Sequence, residues 1–314
     1  MLKIVFYGTP HFAVTCLASL IQKKAGVCAV VTAPDKPVGR GKKVKYGPVK
    51  EYCLANQIEL LQPENLKDSA FVNAIAELKP DLQIVVAFRM LPKQIWTLPR
   101  LGTFNLHASL LPNYRGAAPI NWAVINGENR TGLTTFLIDE EIDTGHILLQ
   151  DEIAMKEEET AESLYEKMLL KAPPLIHRTI HGLANQSIKP FIQKPRGDEK
   201  SAPKLDHENT RIDWKMPLKQ IASLIRGLNP LPGAWTFFND GVGQDLKMKI
   251  FEGCPIYASH SFAPGLLIVE NKKLLIATAE GYLDCAIVQL PNKRRMAAKD
   301  LLNGYSFNPK TAVF

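Results

Sequence analysis

Asn105 and His107 stand two residues apart at the end of a short apolar run, and Asp143 stands in the polar triplet Asp143-Thr144-Gly145 further along the chain. Side chains at i and i+2 of a strand project from the same side of it, so an amide donor and an imidazole converge at one strand end. A polar turn between two strands can bring a carboxylate to the same crevice. Two readings follow. The three groups form a reactive site in which an amide, an imidazole and a carboxylate share one substrate atom, or they form a satisfied polar cluster that holds two loops together. Spacing alone leaves both open.

The elements that must position these groups are legible as alternating short apolar runs and helical stretches. Residues 4–7, 27–32, 58–61, 82–87 and 103–106 read as strands, mostly apolar runs of the kind expected where helices cover both faces of a parallel sheet. Helical spacing occupies residues 11–24, 48–56, 66–79 and 117–126. Two further strands are expected at 131–139 and 147–155, and acidic residues Glu157 to Glu159 precede a long helix reaching Ala184. The layout is an α/β doubly wound, Rossmann-like, mostly parallel sheet. In such a sheet ligands sit beyond the carboxyl ends of the strands, which directs attention to Gly8, Phe88 and His107. The first strand ends in Gly8-Thr9-Pro10 without the G-x-G-x-x-G spacing, so a bound dinucleotide is disfavoured.

From about residue 187 to 209 the chain carries Pro190, Pro195, Gly197 and Pro203 with no sustained period and reads as a linker. Beyond it a helix near 218–226 and strands near 234–238, 246–252, 265–269, 274–277 and 282–289 suggest a smaller, OB-like β-barrel. The expected division is a catalytic domain over 1–189, a linker over 190–208 and a barrel domain over 209–314. The 314 residues, 46% hydrophobic and 22% charged, suffice for two cores, and the net charge of +7 permits a polyanionic partner without requiring one. Five scattered cysteines without a C-x-x-C pair argue against a disulfide framework and a zinc ribbon, and the apolar run at 4–7 is too short for a signal peptide or a membrane span. The expectation is a cytoplasmic protein with no membrane association. His177 and His181, four apart on the long helix, lack a third ligand and read as helix-surface residues; no metal is expected.

Asn105-x-His107 followed by Ser109-Leu110-Leu111-Pro112-x-Tyr114-Arg115-Gly116, together with Asp143-Thr144-Gly145, resembles the signature of the folate-dependent formyltransferases. The resemblance spans essentially the whole length, from Phe6-Tyr7-Gly8-Thr9-Pro10 through Pro34-Asp35-Lys36-Pro37 and Ile212-Asp213-Trp214 to Asn303-Gly304-Tyr305, and is strongest to the branch that acts on charged tRNA. It implies 10-formyltetrahydrofolate as formyl donor, methionyl-initiator tRNA as acceptor, no metal and a monomer. Asn105 and His107 would stabilise the oxygen of a tetrahedral intermediate, and Asp143 would orient His107 and favour its protonated form. Phe88, Arg89, Met90 and Leu91, with Ser109, Leu110, Leu111 and Pro112, would shape the folate pocket. Three local departures stand out: His11 in place of an acidic residue, Leu231 in place of Trp, and Arg89 in place of Gly. Arg89 lines the pocket or caps a strand end.

The insertion at residues 35–46 carries Lys36, Arg40, Lys42, Lys43 and Lys45 around two glycines. A charge run of this kind is either a solvated face or a phosphate contact. Its similarity to the family's acceptor-stem loop implies that Arg40 recognises the unpaired end of the tRNA, with Lys42 and Lys43 holding phosphates. Lys204 in the linker, with Lys194, Arg196 and Lys200, and Lys293, Arg294 and Arg295 in the barrel would extend a basic track. Two alternatives keep parts of the pattern: a formyltransferase whose acceptor is an amino-sugar nucleotide, and a non-catalytic RNA-binding or folate-sensing module.

Overall fold

The computed structural model describes residues 2–38, 43–195, 197–239, 243 and 245–314. Its elements run β1 (Ile4–Gly8), α1 (His11–Gln22), β2 (Val27–Val31), β3 (Lys36–Val38), β4 (Lys43–Lys45), α2 (Pro48–Ala55), β5 (Leu60–Leu61), α3 (Ser69–Glu77), β6 (Leu82–Val86) and α4 (Lys93–Trp96). There follow β7 (Thr103–His107), β8 (Arg115–Gly116), α5 (Pro119–Ile125), β9 (Arg130–Leu137), β10 (Ile147–Ala154), α6 (Ala161–Ala184), β11 (Ser201–Ala202) and α7 (Leu218–Gly227). The chain ends with β12 (Ala234–Asn239), β13 (Asp245–Tyr257), β14 (Leu267–Glu270), β15 (Lys273–Thr278), β16 (Gly281–Gln289), β17 (Met296–Ala297) and α8 (Ala298–Leu301). They fall into two compact units: Met1–Gly116 with Thr131–Ile153 and Glu166–Lys200, and Ala117–Arg130 with Ala154–Tyr165 and Ser201–Phe314.

The first unit is built on a seven-stranded sheet in the order β10-β9-β7-β6-β1-β2-β5. Strands β5, β2, β1, β6 and β7 are parallel, and β9 joins β7 antiparallel. The mostly parallel, Rossmann-like sheet expected from the apolar runs is therefore present. β1 and β6 are buried at every position, because helices cover both faces. Successive strands move outward from β1 on one side and from β6 on the other, so the strand order reverses between them, and their carboxyl ends at Gly8 and Val86 flank the crevice. Gly8 permits α1 to start close against the strand: a Cβ there would lie 2.5 Å from the Ala13 Cβ. The apolar residues Val5, Tyr7, Val31, Phe71, Ile75, Val85 and Ile95 form one core beneath this end of the sheet.

Three local differences from the sequence reading have physical causes. Residues 35–46, read as a loop, include a short antiparallel ribbon pairing Lys36 with Lys45 and Val38 with Lys43; alternating lysines carry no apolar period to announce it. α4 is a single turn, too short to display helical periodicity. β13 continues to Tyr257, past Pro255, which pairs with Leu283 of β16. α6 begins where the acidic run predicted. The Thr160 hydroxyl accepts from the Ser163 amide at 3.1 Å while the Ser163 hydroxyl accepts from the Thr160 amide at 3.0 Å, a reciprocal cap that satisfies two free helix-end donors.

In the second unit, antiparallel strands run in the order β12-β13-β16-β15-β14, with β17 on β16. The C-terminal segment closes this sheet into a barrel: Val313 bridges to Phe238 of β12, and Ala312 bridges to Leu266 beside β14. α7 lays Leu218, Ile221, Leu224 and Ile225 onto a core with Phe238, Met248, Ile250, Leu274, Ile276 and Leu283. The helix α5 packs on α7, and the Asn121 amide donates to the Gly227 carbonyl at 2.7 Å. Among the described residues no helix is long and apolar enough to cross a membrane.

Candidate active site

β7 presents Asn105 and His107 on one side, one strand away from the point where strand order reverses. Its register sets Asn105 between Val85 of β6 and Phe136 of β9, and His107 opposite Thr134. Asn105 is half-buried, and its side-chain amide has no hydrogen-bond partner among the described residues. His107 is 6% exposed. Its Nε2 lies 2.8 Å from the Tyr114 carbonyl oxygen, and its Nδ1 lies 3.7 Å from Asp143 Oδ2. A carbonyl oxygen only accepts, so Nε2 carries the hydrogen of that contact. The other ring nitrogen is left facing the carboxylate.

Asp143 reaches this position from the turn between β9 and β10. Its φ of 57° lies in the left-handed region, which Asp tolerates better than most residues with a Cβ. Oδ2 accepts a hydrogen bond from the Gly116 amide at 2.9 Å, and Thr144 donates from its hydroxyl to Asp139 Oδ1 at 2.8 Å. Gly145 is required by a close approach: a Cβ there would sit 1.7 Å from the Leu137 carbonyl oxygen. The structure thus brings His107 and Asp143 together and places Asn105 on the same strand face as His107.

The segment after β7 is held mainly by polar contacts. Thr134 donates from its hydroxyl to the Ser109 carbonyl at 2.6 Å and accepts from the Leu111 amide at 3.2 Å, while Gln150 donates to the Leu111 carbonyl at 3.0 Å. Ser109 is fully buried and donates to the Asn113 carbonyl at 2.6 Å. Leu111 is buried in a small core with Phe136 and Ile147. Leu110 packs over Gly132 and, with Pro112, is only partly buried. Of the residues assigned to a folate wall, Ser109 and Leu111 therefore face inward, and Leu110 and Pro112 reach the surface.

At the end of β6, Phe88 packs against Tyr7 with ring centroids 5.7 Å apart, Met90 is exposed and Leu91 is in the core. Arg89 donates to the carbonyls of Glu64 at 2.9 Å and Pro63 at 2.7 Å, and its guanidinium lies 5.3 Å from the Phe88 ring. It clamps the segment after β5. That segment lines an open cavity of about 460 Å³ with Gln62, Asn65, Asp68 and Phe71.

Among the residues assigned to nucleic acid, Arg40 and Lys42 lie outside the described residues, as does Arg196, and Lys43 is described only as backbone of β4. Lys204, Lys293 and Arg294 are exposed. Arg295 is engaged: it donates to Asn229 Oδ1 at 3.2 Å, stacks 4.3 Å from the Phe251 ring and lies 3.5 Å from Glu252. The two helix histidines turn to separate partners, His177 to the Ser19 hydroxyl at 2.9 Å and His181 to Asn185 at 3.1 Å. Burial holds the His177 imidazole below its ordinary range.

Sequence reasoning missed Gln193. It is 6% exposed, and its amide donates to the carbonyls of Asp143 at 2.9 Å and Gly145 at 2.8 Å while accepting from Arg115. It sits in an aperiodic, proline-containing stretch, where no pattern marks an inward-facing amide.

Comparison with known proteins gives this fold its class. The chain belongs to the formyl transferase family: the formyl transferase model matches residues 2–180, and the model of the formyl transferase C-terminal domain matches residues 204–306. Relatives that match over nearly the full length include methionyl-tRNA formyltransferases. That of Flavobacterium johnsoniae is 48% identical over 313 residues, covering 100% of this chain and 99% of the relative. That of Bacteroides thetaiotaomicron is 46% identical over 308 residues, covering 97% of this chain and 96% of the relative. Among solved structures, the N-formyltransferase of Helicobacter canadensis, in complex with folinic acid and dTDP-3-aminofucose, superposes with a TM-score of 0.65 at 21% identity over 91% of this chain and 99% of its own. At that identity the likeness is one of fold.

Proposed function

We propose that this chain transfers the formyl group of 10-formyltetrahydrofolate to the amine of methionyl-initiator tRNA, giving N-formylmethionyl-tRNA, and that it does so as a cytoplasmic monomer. The observation that carries this reading is the juxtaposition of the His107 imidazole and the Asp143 carboxylate at 3.7 Å, on the strand end that also bears Asn105, whose amide has no partner among the described residues. The family membership and the names of the full-length relatives support it.

In the proposed step the amine nitrogen attacks the formyl carbon, forming a tetrahedral centre whose oxygen carries negative charge. The new C–N bond remains, the bond to the folate N10 breaks, and the proton lost by the amine ends on that nitrogen. Asn105 donates to the oxygen as charge develops; one such preorganised donor is worth about 2.7 to 4 kcal/mol. His107 is held between the Tyr114 carbonyl and Asp143 beside the same oxygen; a rotation off Tyr114 frees Nε2 to donate to it directly, and when protonated the ring adds positive charge there. Asp143 or an ordered water takes the amine proton. An α-amino group titrates near 8, so much of the acceptor is already a free nucleophile, and positioning outweighs base catalysis. Phe88, Met90, Leu110 and Pro112 provide surface for the folate rings, with Arg89, Leu91, Ser109 and Leu111 holding that surface in shape. Residues 209–314 form the tRNA-binding domain, with Arg40, Lys42 and Lys43 at the acceptor end and Lys204, Lys293 and Arg294 along the phosphates.

A formyl-transfer assay with 10-formyltetrahydrofolate tests donor and acceptor together. Charged initiator tRNA is expected to be formylated at least about a hundredfold faster than charged elongator tRNA or an amino-sugar nucleotide. Preference for the amino-sugar nucleotide, or no transfer to any acceptor, overturns the reading.

A further inference from the structure

Gln193 makes four hydrogen bonds that account for its whole side-chain amide. The two N–H groups of Nε2 go to the carbonyl oxygens of Asp143 and Gly145, at 2.9 and 2.8 Å. Oε1 accepts from Arg115 Nε at 3.2 Å and from Arg115 Nη2 at 2.6 Å. Two donors and two acceptor positions are the full capacity of a primary amide, so the group is saturated as well as buried. Its own segment is fixed beside it, because Phe191 exchanges hydrogen bonds with Ile147 of β10 at 2.8 and 3.0 Å.

Arg115 lies between the two residues that hold the site. Tyr114 supplies the carbonyl that meets His107 Nε2, and Gly116 supplies the amide that meets Asp143 Oδ2. Gln193 therefore ties the backbone on both sides of Thr144 to the residue flanked by those two contacts. The triangle closes side chain to backbone at the Asp143 turn, side chain to side chain at Arg115 and backbone to side chain from Gly116 to Asp143, so the carboxylate and the imidazole share one brace.

We propose that Gln193, with Arg115, is a positioning residue for formyl transfer: it holds the strained Asp143 turn at the separation from His107 that the reaction requires. The proposal rests on the reading of His107 and Asp143 given above. No other side chain of similar size does the same. A glutamate would keep the fork with Arg115 but turn its other carboxylate oxygen toward the two carbonyls of the turn, replacing attraction by repulsion.

The test is Gln193→Glu in the full-length protein, alone and combined with Asp143→Asn. The single variant is expected to lower kcat at least about tenfold, with KM for each substrate changed less than about threefold. In the Asp143→Asn background the same change is expected to cost less than about twofold, because its target is already lost. A wild-type kcat for Gln193→Glu, or losses that multiply fully in the double variant, overturns the proposal. A near-normal Asp143→Asn overturns the site reading instead, so the two failures are distinguishable. Should Gln193→Glu fail to fold, Arg115→Lys keeps the charge and loses the fork. It is expected to lower kcat about threefold or more with the same lack of additivity, and full additivity overturns the proposal there too.

Discussion

At the scale of single residues, the site is a set of groups whose bonding roles are already assigned before substrate arrives. The Tyr114 carbonyl fixes one imidazole nitrogen of His107, the Gly116 amide fixes one oxygen of Asp143, and the Asn105 amide keeps its donors unspent. An unspent donor beside a buried imidazole is what an oxyanion uses, since Asn105 has no existing bond to break as charge appears. Asn105→Ala is accordingly expected to lower kcat by about 10²–10³ at saturating folate, read by steady-state transfer to charged tRNA. Asp143→Asn separates charge from shape. Asn also accepts the left-handed φ and can still accept from Gly116, so melting temperature should hold within a few degrees while kcat falls about tenfold or more. A large drop in melting temperature would assign Asp143 to the fold instead.

At the scale of elements, the strands that carry or flank the trio are readable and the braces that hold it are not. The largely apolar runs at β1 and β6 announce a buried parallel sheet because burial on both faces suppresses polar alternation, whereas β7 alternates Thr103, Phe104, Asn105, Leu106 and His107. The i, i+2 spacing of Asn105 and His107 is equally legible once β7 is placed. Gln193 left no trace, because a hydrogen-bonded amide in an aperiodic segment follows no periodicity that burial could impose. The inward turn of Leu111 was hidden for a related reason: a loop leucine can face either a ligand or a core, and the partners that decide it, Phe136 and Ile147, lie far along the chain. The turn between β9 and β10 makes its own prediction. Gly145→Ala sets a methyl against the Leu137 carbonyl, so stability should fall by about 1–3 kcal/mol in denaturant melts and transfer should fall with it. Unaltered stability and turnover would mean that the turn has more freedom than its packing implies.

At the scale of the whole molecule, the net charge of +7 becomes useful only where it is concentrated. Lys204, Lys293 and Arg294 are exposed, whereas Arg295 is occupied by Asn229, Phe251 and Glu252. Its removal should therefore disturb the barrel more than the affinity for tRNA. If the proposed phosphate contacts form, tRNA affinity is expected to fall by at least about tenfold between 50 and 200 mM salt while folate affinity changes little. Equal salt dependence for the two ligands would remove the basic track. Arg40→Ala is expected to reduce the preference for charged initiator over charged elongator tRNA by about tenfold in competition assays, and an unchanged ratio would leave residues 35–46 as a charged surface only.

All three scales meet in the claim that His107 acts on the reacting carbonyl rather than on the fold. The most direct measurement is the single-turnover rate of formyl transfer by His107→Ala at saturating 10-formyltetrahydrofolate and charged initiator tRNA, with folate affinity measured on the same preparation. The expected result is a rate at least about a hundredfold below the unaltered protein with folate affinity retained. A rate within about threefold of it would contradict the account.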